Sequence, residues 1–204
     1  MKYPSAYLKY STQFPKSEVI NGALWDTVQY AQAGQLQLTF FTATRATVDL
    51  SNMEINGQLP YPKAFLIRAI KLYLKQRPES VNQTAPAAIQ TGAINNVAGI
   101  LNGGALQLTI GSKTYGPFPL WALQSGGGAF GGLAVNGTLA AGDYADAGGF
   151  GWPVSKNAYT LSVPLFIEPQ MNFRVDLYWG VVFAITRATN LTVAFEGDLF
   201  RPVQ

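Results

Sequence analysis

Apolar and polar residues alternate along several stretches of this chain with the period of two that places successive side chains on opposite faces of a β-strand. Residues 35–41, QLQLTFF, set Leu36, Leu38 and Phe40 on one face, and 105–110, ALQLTI, do the same with Leu106, Leu108 and Ile110. Residues 159–167 (YTLSVPLFI) and 172–179 (NFRVDLYW) flank the turn-like EPQM. They are expected to form two antiparallel strands joined by a short turn, with Phe173, Val175, Leu177 and Trp179 inward. Residues 191–200, LTVAFEGDLF, add Leu191, Val193 and Phe195 as a last inward set.

Two segments have mixed periodicity. In 62–76, PKAFLIRAIKLYLKQ, helical spacing links Leu66, Ala69, Ile70, Tyr73 and Leu74, while Leu66, Ile70, Leu72 and Leu74 fit one strand face broken at Arg68. The preceding turn, GQLPYP, favours the strand. Residues 86–101 place Ile89, Ala93, Val97 and Ile100 near helical spacing before an Asn-Gly-Gly stop, which fits a short surface helix or an Ala-rich coil equally well.

The longest break in this pattern is 124–154, which holds ten of the chain's 21 glycines. A phosphate-cradling loop would run from a strand into a helix and end in Gly-Lys-Ser or Gly-Lys-Thr, yet no lysine lies between Lys113 and Lys156. Phe130, Leu133, Tyr144, Phe150 and Trp152 are instead spaced among the glycines, a composition suited to a loop that packs against another subunit. The N-terminal 16 residues, MKYPSAYLKYSTQFPK, repeat a lysine every seven positions among Tyr3, Tyr7, Tyr10 and Phe14. Pro4 and Pro15 favour extended backbone there, so the segment is expected to be an arm lying across a neighbouring subunit. Its three lysines allow only weak contact with single-stranded nucleic acid or a lipid headgroup surface.

Composition narrows the chemistry. The chain contains neither Cys nor His, which removes thiolates, disulfides, the commonest general base and the commonest neutral metal ligand together. Ser125 and Ser155 therefore have no histidine to activate them. Asp143 and Asp146 lack the remaining spacing of a calcium loop. Glu196 and Asp198 flank Gly197 as a paired-carboxylate site would require, but an outward polar face or a bulge at Gly197 explains them better. The net charge of +3 arises from 14 basic against 11 acidic residues and gives no support to nucleic-acid binding by bulk charge. No catalytic, cofactor or metal site and no small-molecule substrate is expected. The longest apolar run, 178–185, is too short to cross a bilayer, and the N-terminus lacks the apolar core of a signal peptide.

The order LQLTIGSKTY, GPFPL, a Gly-rich excursion, SVPLFIEPQMNFRVDL and a final AFEGDLFRPVQ resembles the jelly-roll capsid proteins of tailless icosahedral bacterial viruses. The resemblance implies an all-β chain: a single jelly-roll antiparallel β-sandwich over 35–204 with long loops, preceded by an extended N-terminal arm over 1–34. It implies two four-stranded sheets face to face, and subunits grouped into pentamers, trimers or pseudo-hexameric capsomers of a virion made in the host cytoplasm. Copies of the chain and other virion proteins would then be its partners, with Tyr3, Tyr7, Tyr10, Phe14, Phe130, Leu133, Tyr144, Phe150 and Trp152 as interface residues. The alternatives are a β-sandwich binding module, for which Trp152 with Asp143 and Asp146 is the glycan-binding candidate, and an extracellular filament subunit, whose head-to-tail contacts would propagate.

Overall fold

The computed structural model describes residues 4–45, 47–75, 98–124, 130–135, 144–149, 158–185 and 188–202. Its framework is a pair of four-stranded antiparallel sheets. One sheet has the order β1 (Ser17–Tyr30), β10 (Thr189–Pro202), β3 (Ala64–Lys75), β8 (Tyr159–Ile167). The other has the order β2 (Gln37–Phe40), β9 (Phe173–Trp179), β4 (Gly104–Ile110), β5 (Lys113–Pro119). β6 (Phe130–Val135) and β7 (Tyr144–Gly149) pair with each other, so the Gly-rich segment expected as loop holds an antiparallel ribbon.

The inward residues of the two sheets form one core. Leu24, Phe65, Ile70, Leu72, Leu191, Val193 and Phe195 of the first sheet are buried with Leu38, Phe40, Leu106, Leu108, Val175 and Leu177 of the second. The apolar set of the alternation in 105–110, 173–179 and 191–195 thus marks the face turned to the core. Rings join the layers: Tyr30 meets Trp179 edge-on at 5.0 Å, and Phe41 stacks on Phe195 at 5.0 Å. Within the segment 62–76, Ala64–Lys75 form strand rather than helix, because β3 lies between β10 and β8 and buries apolar side chains on both faces.

Three expectations are corrected. The segments on either side of EPQM do not form a hairpin: β8 pairs with β3 and β9 with β2 and β4, so the turn carries the chain from one sheet to the other. Both strands present apolar faces, and each is buried more fully in its own layer than side by side. The N-terminal region is not an extended arm: α1 spans Ser5–Gln13, and β1 is an edge strand of the sandwich. Pro4 stands just before the helix, a position where its fixed φ costs nothing. Leu36 is 52% exposed, because the strand begins one residue later.

Strand registers fix which connections share an end. Tyr30 faces Thr189 and Lys75 faces Asn190 in the first sheet; Gln37 faces Tyr178, and Gly104 faces Trp179, in the second. The Tyr30–Trp179 ring contact then brings 31–36, 98–103, 120–124 and 180–185 to one end, the loop end. The connections 41–63, 111–112 and 168–172 lie at the other, with α1 packed beside them.

Candidate interaction surfaces

At the loop end, backbone bonds tie separate connections into one frame. Tyr30 donates its hydroxyl proton to the Phe183 carbonyl (2.8 Å), Trp179 N–H reaches the Leu36 carbonyl (2.9 Å), and Ile185 N–H reaches that of Gln32 (2.9 Å). The Trp179 indole donates to the Ile100 carbonyl (2.8 Å), fastening the helical turn at 98–102 to β9. Gly34 has a φ of +80°, and a Cβ there would lie 2.6 Å from the Phe183 oxygen, so this close approach requires glycine. Upon this frame stand four large apolar side chains open to solvent: Leu36, Trp121 (60% exposed), Val181 (72%) and Val182 (54%). A rigid end displaying apolar groups has the physical character of a protein contact surface.

The opposite end carries a second apolar structure, already covered. Tyr10, Ala64, Leu66, Phe166 and Phe200 form a buried cluster distinct from the main core, with Ala6, Tyr7 and Phe14 packed against it. Ala64, Leu66, Phe166 and Phe200 come from three neighbouring strands, on the sheet face turned away from the core. Tyr7 lies 5.3 Å from the Phe200 ring and 5.8 Å from that of Phe166, and Tyr10 gives its hydroxyl proton to the Pro62 carbonyl at 2.8 Å. Burial pushes the Tyr10 hydroxyl pKa above its ordinary value; Ser17 opposes the shift by hydrogen bonding, and nearby Tyr61 adds to it.

The interface residues expected from sequence therefore separate. Tyr7, Tyr10 and Phe14 come together, but on their own sheet, and Tyr10 is buried there. Phe130 and Leu133 lie on β6 and Tyr144 on β7, where Leu133 pairs with Asp146 and Val135 with Tyr144. Tyr3, Phe150, Trp152, Asp143, Ser125 and Ser155 lie outside the described residues. Leu36, Trp121, Val181 and Val182 were missed as surface residues. Leu36 fitted a strand pattern, and the two valines sit in an apolar run that reads as buried.

The carboxylates act as clamps. Glu196 pairs with Lys71 and Asp198 with Arg68, across the β10–β3 seam. The seam's register shifts at Glu196/Gly197, where an outward polar face or a bulge was expected; the extra residue is Arg68, on the partner strand β3. Asp26 is fully buried in β1; its Oδ2 accepts the Phe41 N–H at 2.6 Å, and its Oδ1 takes Arg45 Nε at 3.1 Å. Phe41 has a φ of +65°, a conformation that non-glycine residues hold only when the surroundings fix it, and Asp26 supplies one such fixture. Asp176, buried on β9, accepts protons from Gln37 (3.1 Å) and Thr39 (2.8 Å) through Oδ1. Its Oδ2 lies 3.0 Å from Arg174 Nε, close enough for an ion pair but without hydrogen-bond alignment. Among the described residues no group of three or more potential ligands gathers as a metal site would require. Among them, too, no helix is long and apolar enough to cross a membrane. A pocket of about 100 Å³ opens beside Leu24, Met53, Leu59 and Phe65, with the Lys63–Glu54 ion pair among its lining residues. Its volume suits one apolar side chain.

Comparisons with protein-family models, with curated proteins and with solved structures found no match for this chain.

Proposed function

We propose that this chain is a single jelly-roll subunit of a viral capsid, associating with copies of itself and with other virion proteins into a closed icosahedral shell. Strand order supports the jelly-roll connectivity. β1 pairs with β10, β2 with β9, β3 with β8 and β4 with β5, a nested set obtained when one long hairpin is rolled into two sheets. The β6–β7 ribbon enters between β5 and β8 and leaves the nesting intact. The observation that carries the functional reading is the loop end. Four large apolar side chains stand exposed on a frame locked by hydrogen bonds, where a monomer gains nothing from them. Association removes them from water, at about 25 cal/mol for each Å² buried.

In the same reading, Lys9 and Lys16 remain exposed on and beside α1, free for weak contact with a genome or an internal membrane. The subunit is made in the host cytoplasm and ends in the virion shell.

Sedimentation velocity over rising concentration, followed by negative-stain microscopy, tests the proposal. Closed particles of uniform size are expected. A chain that stays monomeric at every concentration overturns it, and open fibres would establish the filament reading instead, since head-to-tail contacts that fail to close propagate.

A further inference from the structure

We infer that α1 is an exchangeable strap, docking on its own sheet in the isolated chain and on the equivalent sheet of a neighbouring copy once copies associate. The inference rests on the self-association proposed above and deepens it by naming the segment and the surface that meet.

Four observations point to exchange. The contacts that seat α1 form a cluster sharing no residue with the main core, so the helix can leave without opening the sandwich. The helix has little stability of its own: it is nine residues long, has no side-chain N-cap bond, no acid in its first turn and no base in its last. It is tied to β1 only through 14–16, which include Pro15, and a connection this short is the kind of hinge at which elements swap. Lastly, Ala64, Leu66, Phe166 and Phe200 form an apolar face on three strands that must be covered, and Tyr7, Tyr10 and Phe14 are the side chains shaped to cover it.

The energetics follow. The buried contacts are identical whether the helix comes from the same chain or from another, so only the tether distinguishes the two states. A short tether provides an effective concentration in the millimolar range. In a layer of touching copies the neighbour's helix is present at a comparable concentration, and the advantage of the internal arrangement disappears. Exchange then adds a link between subunits without any new surface.

The absence of cysteine from the chain provides a clean test. One preparation carries Tyr7→Cys and a second carries Phe200→Cys; they are mixed, allowed to associate, and treated with a short bis-maleimide. A chain bearing both substitutions reports the internal arrangement, and the pair Tyr10→Cys with Phe166→Cys, whose rings lie 5.6 Å apart, repeats the measurement should either first variant fold poorly. Exchange predicts covalent heterodimers in the associated mixture, and internal cross-links in the dilute double variant. Absence of heterodimers from a mixture that has associated, while the double variant still cross-links internally, overturns the inference, as does a double variant that never cross-links. Closed particles without heterodimers refute exchange and leave the shell standing. Heterodimers in a preparation that forms no closed particle establish exchange while refuting the shell.

Discussion

Gly197 shows how a single side-chain hydrogen supports local geometry. Opposite it β3 carries one extra residue, because Glu196 faces Ala69 but Gly197 faces Ile67; that residue, Arg68, pairs with Asp198. A Cβ on Gly197 would lie 1.8 Å from the Leu66 carbonyl oxygen. Neither backbone can retreat without breaking the seam between β10 and β3. Gly197→Ala is therefore expected to lower unfolding stability by at least about 2 kcal/mol, the upper range for inserting atoms into packed structure. Denaturant midpoints of the two proteins measure it, and a change within about 0.5 kcal/mol would mean that the bulge yields. The sequence allowed a bulge or an outward polar face at Gly197, but the extra residue, Arg68, lies on the partner strand, where no local pattern marks it. Asp26 was not legible either: a carboxylate occupying an inward position of β1 interrupts the alternation that would otherwise run through Leu24, Val28 and Tyr30. Its partners, Phe41 N–H and Arg45, lie 15 and 19 residues away, beyond any local pattern.

At the scale of elements, the same interruption explains why β1 escaped sequence reading and β5 was visible only through a family resemblance. β5 carries Pro117 and Pro119 and is mostly exposed, so neither propensity nor alternation marks it. The strands that were legible, β4, β9 and β10, are those whose core-facing positions form an uninterrupted apolar row. The helix α1 was read as extended because its prolines dominate locally, whereas its conformation is set by burial of Tyr7 and Tyr10 on a distant part of the chain. That dependence gives the helix a pH response. Tyr10 has a raised hydroxyl pKa in the folded chain, chiefly because burial disfavours the phenolate, and the neutral form also donates to Pro62. A group with a raised folded pKa contributes stability that is complete below its unfolded value, near 10, and is lost as pH climbs through the folded value. The denaturant midpoint should accordingly fall more steeply above about pH 10 in the parent chain than in Tyr10→Phe, which retains the ring and cannot ionise. Parallel slopes for the two proteins would show that Tyr10 does not couple docking to pH.

At the scale of the whole molecule, a mostly-β organisation was legible from alternation and the sandwich only through the family resemblance, while the pairing was not legible, because nested partners such as β1 and β10 are separated by most of the chain. Only the fold brings 31–36 and 180–185 to one end and leaves Leu36, Trp121, Val181 and Val182 facing water. Those side chains contribute little to the isolated chain, and that permits a separation of stability from association. Val181→Lys combined with Val182→Lys places two charges on the proposed contact surface at positions already 72% and 54% exposed. Surface substitutions of this kind usually stay within about 0.5 kcal/mol, a melting shift of roughly 2 °C for a chain of this size. Burial of the new charges in a contact would cost far more, so association should weaken by at least about tenfold, equivalent to roughly 1.4 kcal/mol. Val48, 70% exposed on the connection at the opposite end, supplies the control, since Val48→Lys adds charge away from the proposed contact. Analytical ultracentrifugation of the three proteins decides the matter. If the double variant associates like its parent, or if Val48→Lys impairs association as severely, the loop end is not the surface through which copies meet.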